Sequence, residues 1–220
     1  MSILTDPWRD TTDQLRLKPA PVPELMVAAA GEPGQIEKWP VSRYPLLRFV
    51  EEAWMIAEKR PYQANWHIEA ICAHLEAVFE LRIKRLLLNA PPRMGKSSVL
   101  CVLFPVWAWI LDPTLRFLYF SYAQDLAMRD ARKARDLIES PWFRQRWGER
   151  VQIDQHLNRV LRYANTVGGQ RITSSVGGMA TGEGADIIVG DDLHHVSEAD
   201  SETRAEIDSS ADFWMTAVQS

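Results

Sequence analysis

Gly95-Lys96-Ser97 closes the stretch RLLLNAPPRMGKSS at 85–98, and those residue types in that order suit the gripping of phosphate. Leu86-Leu87-Leu88 reads as a short buried strand, residues 90–97 as a tight loop, and the apolar run behind them as a helix. In that layout the N–H groups of the loop and of the helix N-terminus point at an anion, which the helix dipole also favours. Gly95 lets the backbone come close, Lys96 reaches the outer phosphates, and Ser97 offers a hydroxyl to Mg²⁺. The strict pattern G-x-x-x-x-G-K-[ST] is missed at its first position, where Ala90 stands before Pro91 and Pro92. Taken alone, the stretch reads equally as a Pro-rich turn between a strand and a helix.

A second group complements the first. Ile187-Ile188-Val189-Gly190 is an apolar strand that runs into Asp191-Asp192. Beside a phosphate loop, the first acid would hold Mg²⁺ and the second would orient or deprotonate an attacking water. Alone, paired acids after a strand are more simply a helix N-cap. The two groups together favour a nucleoside triphosphate site.

The elements that must position these residues follow from periodicity. Apolar positions at Leu46, Leu47, Val50, Trp54 and Ala57 give a helical stripe over 44–59, ended by Arg60-Pro61. A second helix covers 66–79, with Ile68, Ile71, Cys72, Leu75 and Val78 on one face. Residues 97–111 form an almost wholly apolar, hence buried, helix that Pro105 should kink. Residues 116–122 read as a second buried strand and 126–140 as a helix with a charged face. An aromatic and basic segment follows at 142–147. Short strands at 151–163 and 171–176 flank an Asn-Thr-Val-Gly-Gly turn, then a small-residue loop spans 174–184, and 201–218 reads as helical. Strands alternating with helices predict an α/β fold with its ligand at the strand C-termini.

Composition sets bounds without naming a function. The chain has 220 residues, 46% of them apolar, enough for one ordinary core. Residues 1–40 carry six prolines and read as an extended arm, with a short helix at 22–30. No stretch is long and apolar enough to span a bilayer, and Asp6, Arg9 and Asp10 stand where a signal peptide needs an apolar core, so a cytosolic protein is expected. The only two cysteines, Cys72 and Cys101, lie in apolar helical patterns and are expected as buried free thiols. A net charge of −4 excludes a global basic field, so any nucleic-acid contact must come from a local patch. Arg129, Arg132, Lys133 and Arg135, with Arg144, Arg146 and Arg150 beyond, form the densest basic region. The interleaved Asp130, Asp136 and Glu139 favour a solvated helix face over a DNA contact.

The combination resembles the ATPase domain of phage terminase large subunits, the motors that pump double-stranded DNA into procapsids. The resemblance rests on Pro61-Tyr62-Gln63, on Trp66-His67, on Lys84 through Ser97 with its Pro-Pro-Arg loop, and on Phe120-Ser121-Tyr122-Ala123 with Leu126-Ala127. It continues in Ser140-Pro141-Trp142-Phe143, and in Gly177-Gly178 and Thr181 through Asp186 leading into Asp191-Asp192. It implies an α/β P-loop fold of the RecA-like, additional-strand type, with a central mostly parallel sheet flanked by helices over 43–220 behind the arm at 1–42. The family's Pro-Pro-Arg habit accounts for the missing first glycine.

By position, the resemblance implies ATP and Mg²⁺ as cofactors. Pro92, Arg93, Met94, Gly95, Lys96, Ser97 and Ser98 would cradle the nucleotide, Arg93 sensing the γ-phosphate. Ser97 and Asp191 would hold the metal, and Asp192 would take the place of the catalytic carboxylate, often Glu in such enzymes. Tyr62 and Gln63 stand where such proteins grip adenine, with Trp66 and His67 as a second possibility and ordinary helix-start packing as the other reading. The implied partners are double-stranded DNA, a portal protein, a small terminase subunit and further copies in a ring. The implied location is the cytoplasm of an infected bacterium, at the procapsid portal. No membrane is involved.

Two departures accompany the resemblance. Glu183 stands where many relatives carry a candidate arginine finger, leaving Arg171 and Arg204 as weaker candidates. The sequence also stops before the family's coupling motif and nuclease domain, so nuclease activity is not expected. Two other functions compete with the packaging motor: a helicase-like or recombinase-like ATPase, and a non-catalytic nucleotide-binding or assembly module.

Overall fold

A computed structural model describes residues 44–121, 123–175 and 184–193. All of them belong to a compact unit spanning Trp39–Ser220. The arm, its short helix, the helix at 201–218, Glu183, Arg204 and most of the loop at 174–184 lie outside the described residues.

Two amphipathic helices come first, α1 at Leu46–Glu58 and α2 at Trp66–Phe79, and they pack on each other through the apolar stripes their sequences carry. Glu76 of α2 accepts the Leu46 N–H and so satisfies an orphan donor at the start of α1. The apolar helix after the Gly-Lys-Ser loop begins at Lys96, widens into a π-helical segment at Ser98–Leu103, and tightens into α3 at Phe104–Leu111. It packs against α1, α2 and α4 and is buried on nearly every side, which explains its uniform hydropathy. Pro105, where a kink is expected, stands in the first turn of α3 directly after the π segment.

Strand β1 (Arg116–Ser121) is followed by α4 (Gln124–Glu139) and α5 (Pro141–Trp147), the latter capped by Ser140 Oγ, which accepts the Phe143 N–H. Strands β2 (Ile153–Arg159), β3 (Arg162–Asn165), β4 (Gln170–Ser175) and β5 (Ile187–Asp191) complete a sheet of order β2-β3-β4-β1-β5. Strands β4, β1 and β5 are parallel, whereas β2-β3 and β3-β4 pair antiparallel. The sheet is thus mixed rather than mostly parallel, because residues 151–163 fold back at Val160-Leu161 as a hairpin instead of forming one strand. Phe117 and Tyr119 of β1 face the helices and the main core, while Leu118 and Phe120 face Ile172, Ile188 and Leu193 on the other side.

The strand expected at Leu86-Leu87-Leu88 has no ladder partner among the described residues. Leu86 and Leu88 pack against the core, but Leu87 between them is 88% exposed. The segment is extended and one-sided, not a buried strand. An apolar run signals burial of the strand type only when both faces are covered.

Candidate functional site

The parallel strands end together. Asp191 at the C-terminus of β5 is in register with Ser121 of β1, which is in register with Ser175 of β4. This is the edge at which open α/β sheets hold ligands. Against it the Gly-Lys-Ser loop brings Lys96, whose Nζ lies 3.0 Å from Asp191 Oδ1 and donates to Asp192 Oδ1 at 2.8 Å. The structure thus brings the loop and the paired acids together. Burial pulls the Lys96 ammonium down, but its contacts with the carboxylates of Asp192 and Asp191 outweigh that and leave its pKa raised, so the side chain stays charged. Asp191 is buried and Asp192 exposed, and Asp192 sits at φ 45°, a left-handed conformation that turns the chain out of the strand.

The loop is held from behind. His67 Nε2 lies 2.9 Å from the Met94 carbonyl, tying α2 to the loop backbone. Gly95 has φ 78°, and a Cβ there would stand 2.9 Å from Trp54 Cη2 and 3.3 Å from Ile68 Cδ1. A glycine is needed here for conformation and for space. Arg93 is also left-handed, at φ 66°. Pro92-Arg93 form a hydrogen-bonded turn, while the N–H groups of Arg93 and Gly95 donate to no backbone carbonyl among the described residues.

Two cavities adjoin at this point. The outer, about 330 Å³, is lined by residues 90–98 with Arg129 and Asp192, so Pro92, Arg93, Met94, Gly95, Lys96, Ser97 and Ser98 share one concavity. The inner, about 80 Å³, lies behind Ser97 between Cys101, Tyr119, Asp130, Arg171, Thr173 and Asp191. Ser97, Arg129 and Asp192 line both. Tyr62, Gln63, Trp66 and His67 do not line the outer cavity. Tyr62 packs edge-on against Trp54 at 5.6 Å, and its hydroxyl is pushed up to about 12 by burial and by Glu51. Gln63 and Trp66 are exposed.

The inner cavity holds groups that sequence spacing does not bring together. Ligand atoms of Cys101, Asp130 and Asp191 lie within 4.8 Å of one another. Cys101 Sγ is 3.6 Å from Asp191 Oδ2, and burial followed by the Asp191 charge pushes its thiol well above the usual range, so it stays protonated. Arg171, 1% exposed, stacks its guanidinium 4.0 Å over the Tyr119 ring and donates from Nη1 to the Cys101 carbonyl. With the guanidinia of Arg129 and Arg171 and the Lys96 ammonium already among these acids, the cluster suits an internally compensated polar network better than a dedicated cation cage. The burial of Arg171 also removes it as an arginine reaching into a neighbouring subunit. Cys72 and Cys101 are both free and buried, as expected.

The basic region resolves residue by residue. Lys133 pairs with Glu58 at 2.8 Å, Arg135 reaches Asn158, Arg146 stacks on Trp142, and Arg150 donates to the carbonyls of Ile110 and Leu111 at the end of α3. Arg129 alone of these enters the site. The signal that could have found it is its neighbour: Asp130 occupies the same helical stripe as the buried Ala134, Leu137 and Ile138, an acid where only apolar side chains belong.

No family model matches the chain, and no curated protein matches it either. Among the described residues no helix is long and apolar enough to cross a membrane.

Proposed function

We propose that this chain is a P-loop ATPase of RecA-like type that works as the motor domain of a terminase large subunit, coupling ATP hydrolysis to movement of double-stranded DNA. The observation that carries the ATPase reading is Lys96, held between Asp191 and Asp192 at the C-terminal edge of the parallel strands and open to a cavity lined by its own loop. The donor set fits Mg-ATP. The cavity presents three cations, Arg93, Lys96 and Arg129, while Asp191 Oδ1 is buried and accepts no well-directed hydrogen bond among the described residues, facing Lys96 only as an ion pair.

In this reading Ser97 and Asp191 would hold Mg²⁺, which would neutralise charge on the phosphate oxygens. Incoming phosphate competes with both carboxylates for Lys96, and Asp192, released from the ammonium, turns to the water. Water attacks the γ-phosphorus in line, the bond to the β,γ-bridging oxygen breaks, and the water proton passes to Asp192 and then to solvent, leaving ADP and phosphate. The DNA, portal, small-subunit and ring partners, and a place at a procapsid in the bacterial cytoplasm, come from the sequence resemblance.

The test is Mg-ATP turnover by the purified chain, with and without double-stranded DNA, beside Lys96→Ala. DNA-stimulated turnover lost in Lys96→Ala supports the motor. Turnover indifferent to DNA leaves an ATPase of another kind. ATP binding without turnover supports the non-catalytic module, and no binding at all overturns the nucleotide site.

A further inference from the structure

Arg129 stands at the junction of the two cavities and lines both. Adjacent residues on a helix point in different directions, yet Arg129 folds back onto its neighbour Asp130 in a two-pronged contact. Nε donates to Oδ1 at 2.8 Å and Nη2 to Oδ2 at 3.2 Å. The carboxylate is buried at 7% side-chain exposure, while the arginine is 53% exposed. A buried acid thus fixes the inner edge of the guanidinium, and Nη1 keeps both its N–H groups uncommitted among the described residues. The outer cavity then presents three cations, Arg93, Lys96 and Arg129, against one lining acid, Asp192, which already bonds Lys96. Lys96 and Arg93 belong to the loop itself, whereas Arg129 comes from α4 and faces the loop from outside it.

We infer that Arg129 is a phosphate-contacting arginine of this site, supplied by the same chain, which binds the terminal phosphate of the nucleotide while Asp130 holds its guanidinium in position. The inference rests on the proposed nucleotide site and deepens it. In that role Arg129 distinguishes a triphosphate from a diphosphate, because it contacts the phosphate that a diphosphate lacks.

The experiment measures the affinities of the full chain for ATP and for ADP, both with Mg²⁺, in the wild type, Arg129→Gln, Asp130→Asn and Lys96→Ala, with thermal unfolding as the check on folding. Arg129→Gln is expected to weaken ATP roughly 10- to 100-fold, as loss of a charge-assisted bond to phosphate does, and to change ADP by less than about threefold. Asp130→Asn should weaken ATP in the same direction but less, since the guanidinium stays and only its clamp is loosened. Equal ATP affinity in Arg129→Gln and the wild type overturns the inference, and so does an equal loss for ATP and ADP. If Lys96→Ala binds both nucleotides as the wild type does, the nucleotide site itself falls and this role falls with it.

Discussion

Arg171 donates from Nη1 to the carbonyl oxygen of Cys101 at 2.6 Å, and that bond completes the helix that follows the Gly-Lys-Ser loop. Pro105, four residues after Cys101, has no N–H to offer that carbonyl. One residue earlier the Phe104 N–H reaches back to Val99, and the Leu100 carbonyl takes the Tyr119 hydroxyl at 3.2 Å instead. Two side chains from the sheet, Tyr119 of β1 and Arg171 of β4, thus supply the donors that a π-helical turn and a proline withdraw. The sheet edge and the loop are coupled through them.

Arg171→Met is therefore expected to destabilise the protein by about 2–4 kcal/mol, the sum of an unsatisfied buried carbonyl and a lost desolvated cation–π contact. Arg171→Lys should recover only part of this, since an ammonium cannot both stack on Tyr119 and reach Cys101 as the flat fork does. Urea unfolding of the three proteins measures it. A cost below about 0.5 kcal/mol for Arg171→Met would show that the helix satisfies these carbonyls without the sheet.

Gly95→Ala carries two penalties at once. The left-handed φ of 78° disfavours any side chain, and the new Cβ would press on Trp54 and Ile68. A loss of about 1–3 kcal/mol is expected, with the loop displaced and nucleotide affinity reduced. Trp54→Leu in the Gly95→Ala background removes the nearest obstacle but leaves the backbone strain, so partial recovery of stability is expected. Full recovery would mean that space alone, and not φ, requires the glycine.

Much of this arrangement is legible in the sequence because burial writes a period into it. The α2 boundaries are those the stripe from Ile68 to Val78 predicts, and α1, α4, β1 and β5 differ from their expected ends by no more than two residues. The acids after β5 are legible as a sheet-edge position, whereas the loop reaches that edge from a segment that pairs with no strand among the described residues, so the contact of Lys96 with Asp191 does not follow from sheet topology. The failures have physical causes. Val160-Leu161 forms a hairpin turn from two apolar residues that carry no turn signature. Leu86–Leu88 have the hydropathy of a strand, but pairing depends on a partner the local sequence does not specify. The Arg171 bridge joins residues seventy apart in sequence, which no local pattern announces. Arg129 was hidden because charge on a helix is ordinarily solvated, and only the burial of Asp130 beneath it reveals otherwise.

Glu76 provides a pH signature independent of the site. Burial raises its carboxyl above the usual value of 4.5, only partly offset by the bond it accepts from the Leu46 N–H. The folded state then holds this proton more tightly than the unfolded chain, so the ionised form costs stability. That cost is absent below the unfolded value and grows as pH rises through the folded one. Glu76→Gln keeps an acceptor for Leu46 and removes the charge. Its stability, relative to the wild type, should increase as pH is raised from below 4.5 to neutrality, as followed by thermal unfolding in matched buffers. A parallel pair of pH curves would show that the N–H bond, and not desolvation, governs this carboxyl.

Lys96 and Asp191 allow the structural and the functional roles of one contact to be separated. Lys96→Met leaves Asp191, with a side chain 12% exposed, beside a second acid and without its cation. A loss of about 1–3 kcal/mol is expected, most of it from Asp191, because Asp192 at 65% exposure is screened by solvent. Adding Asp191→Asn removes the stranded charge, so the double variant should be more stable than the two single losses predict, by a coupling of about 0.5–3 kcal/mol. Turnover must behave in the opposite way. If Lys96 reaches phosphate and Asp191 the metal, each single variant is inactive and the double variant stays inactive although its fold has recovered. Turnover that returned together with stability would reduce the pair to a brace of the loop and move the chemistry elsewhere.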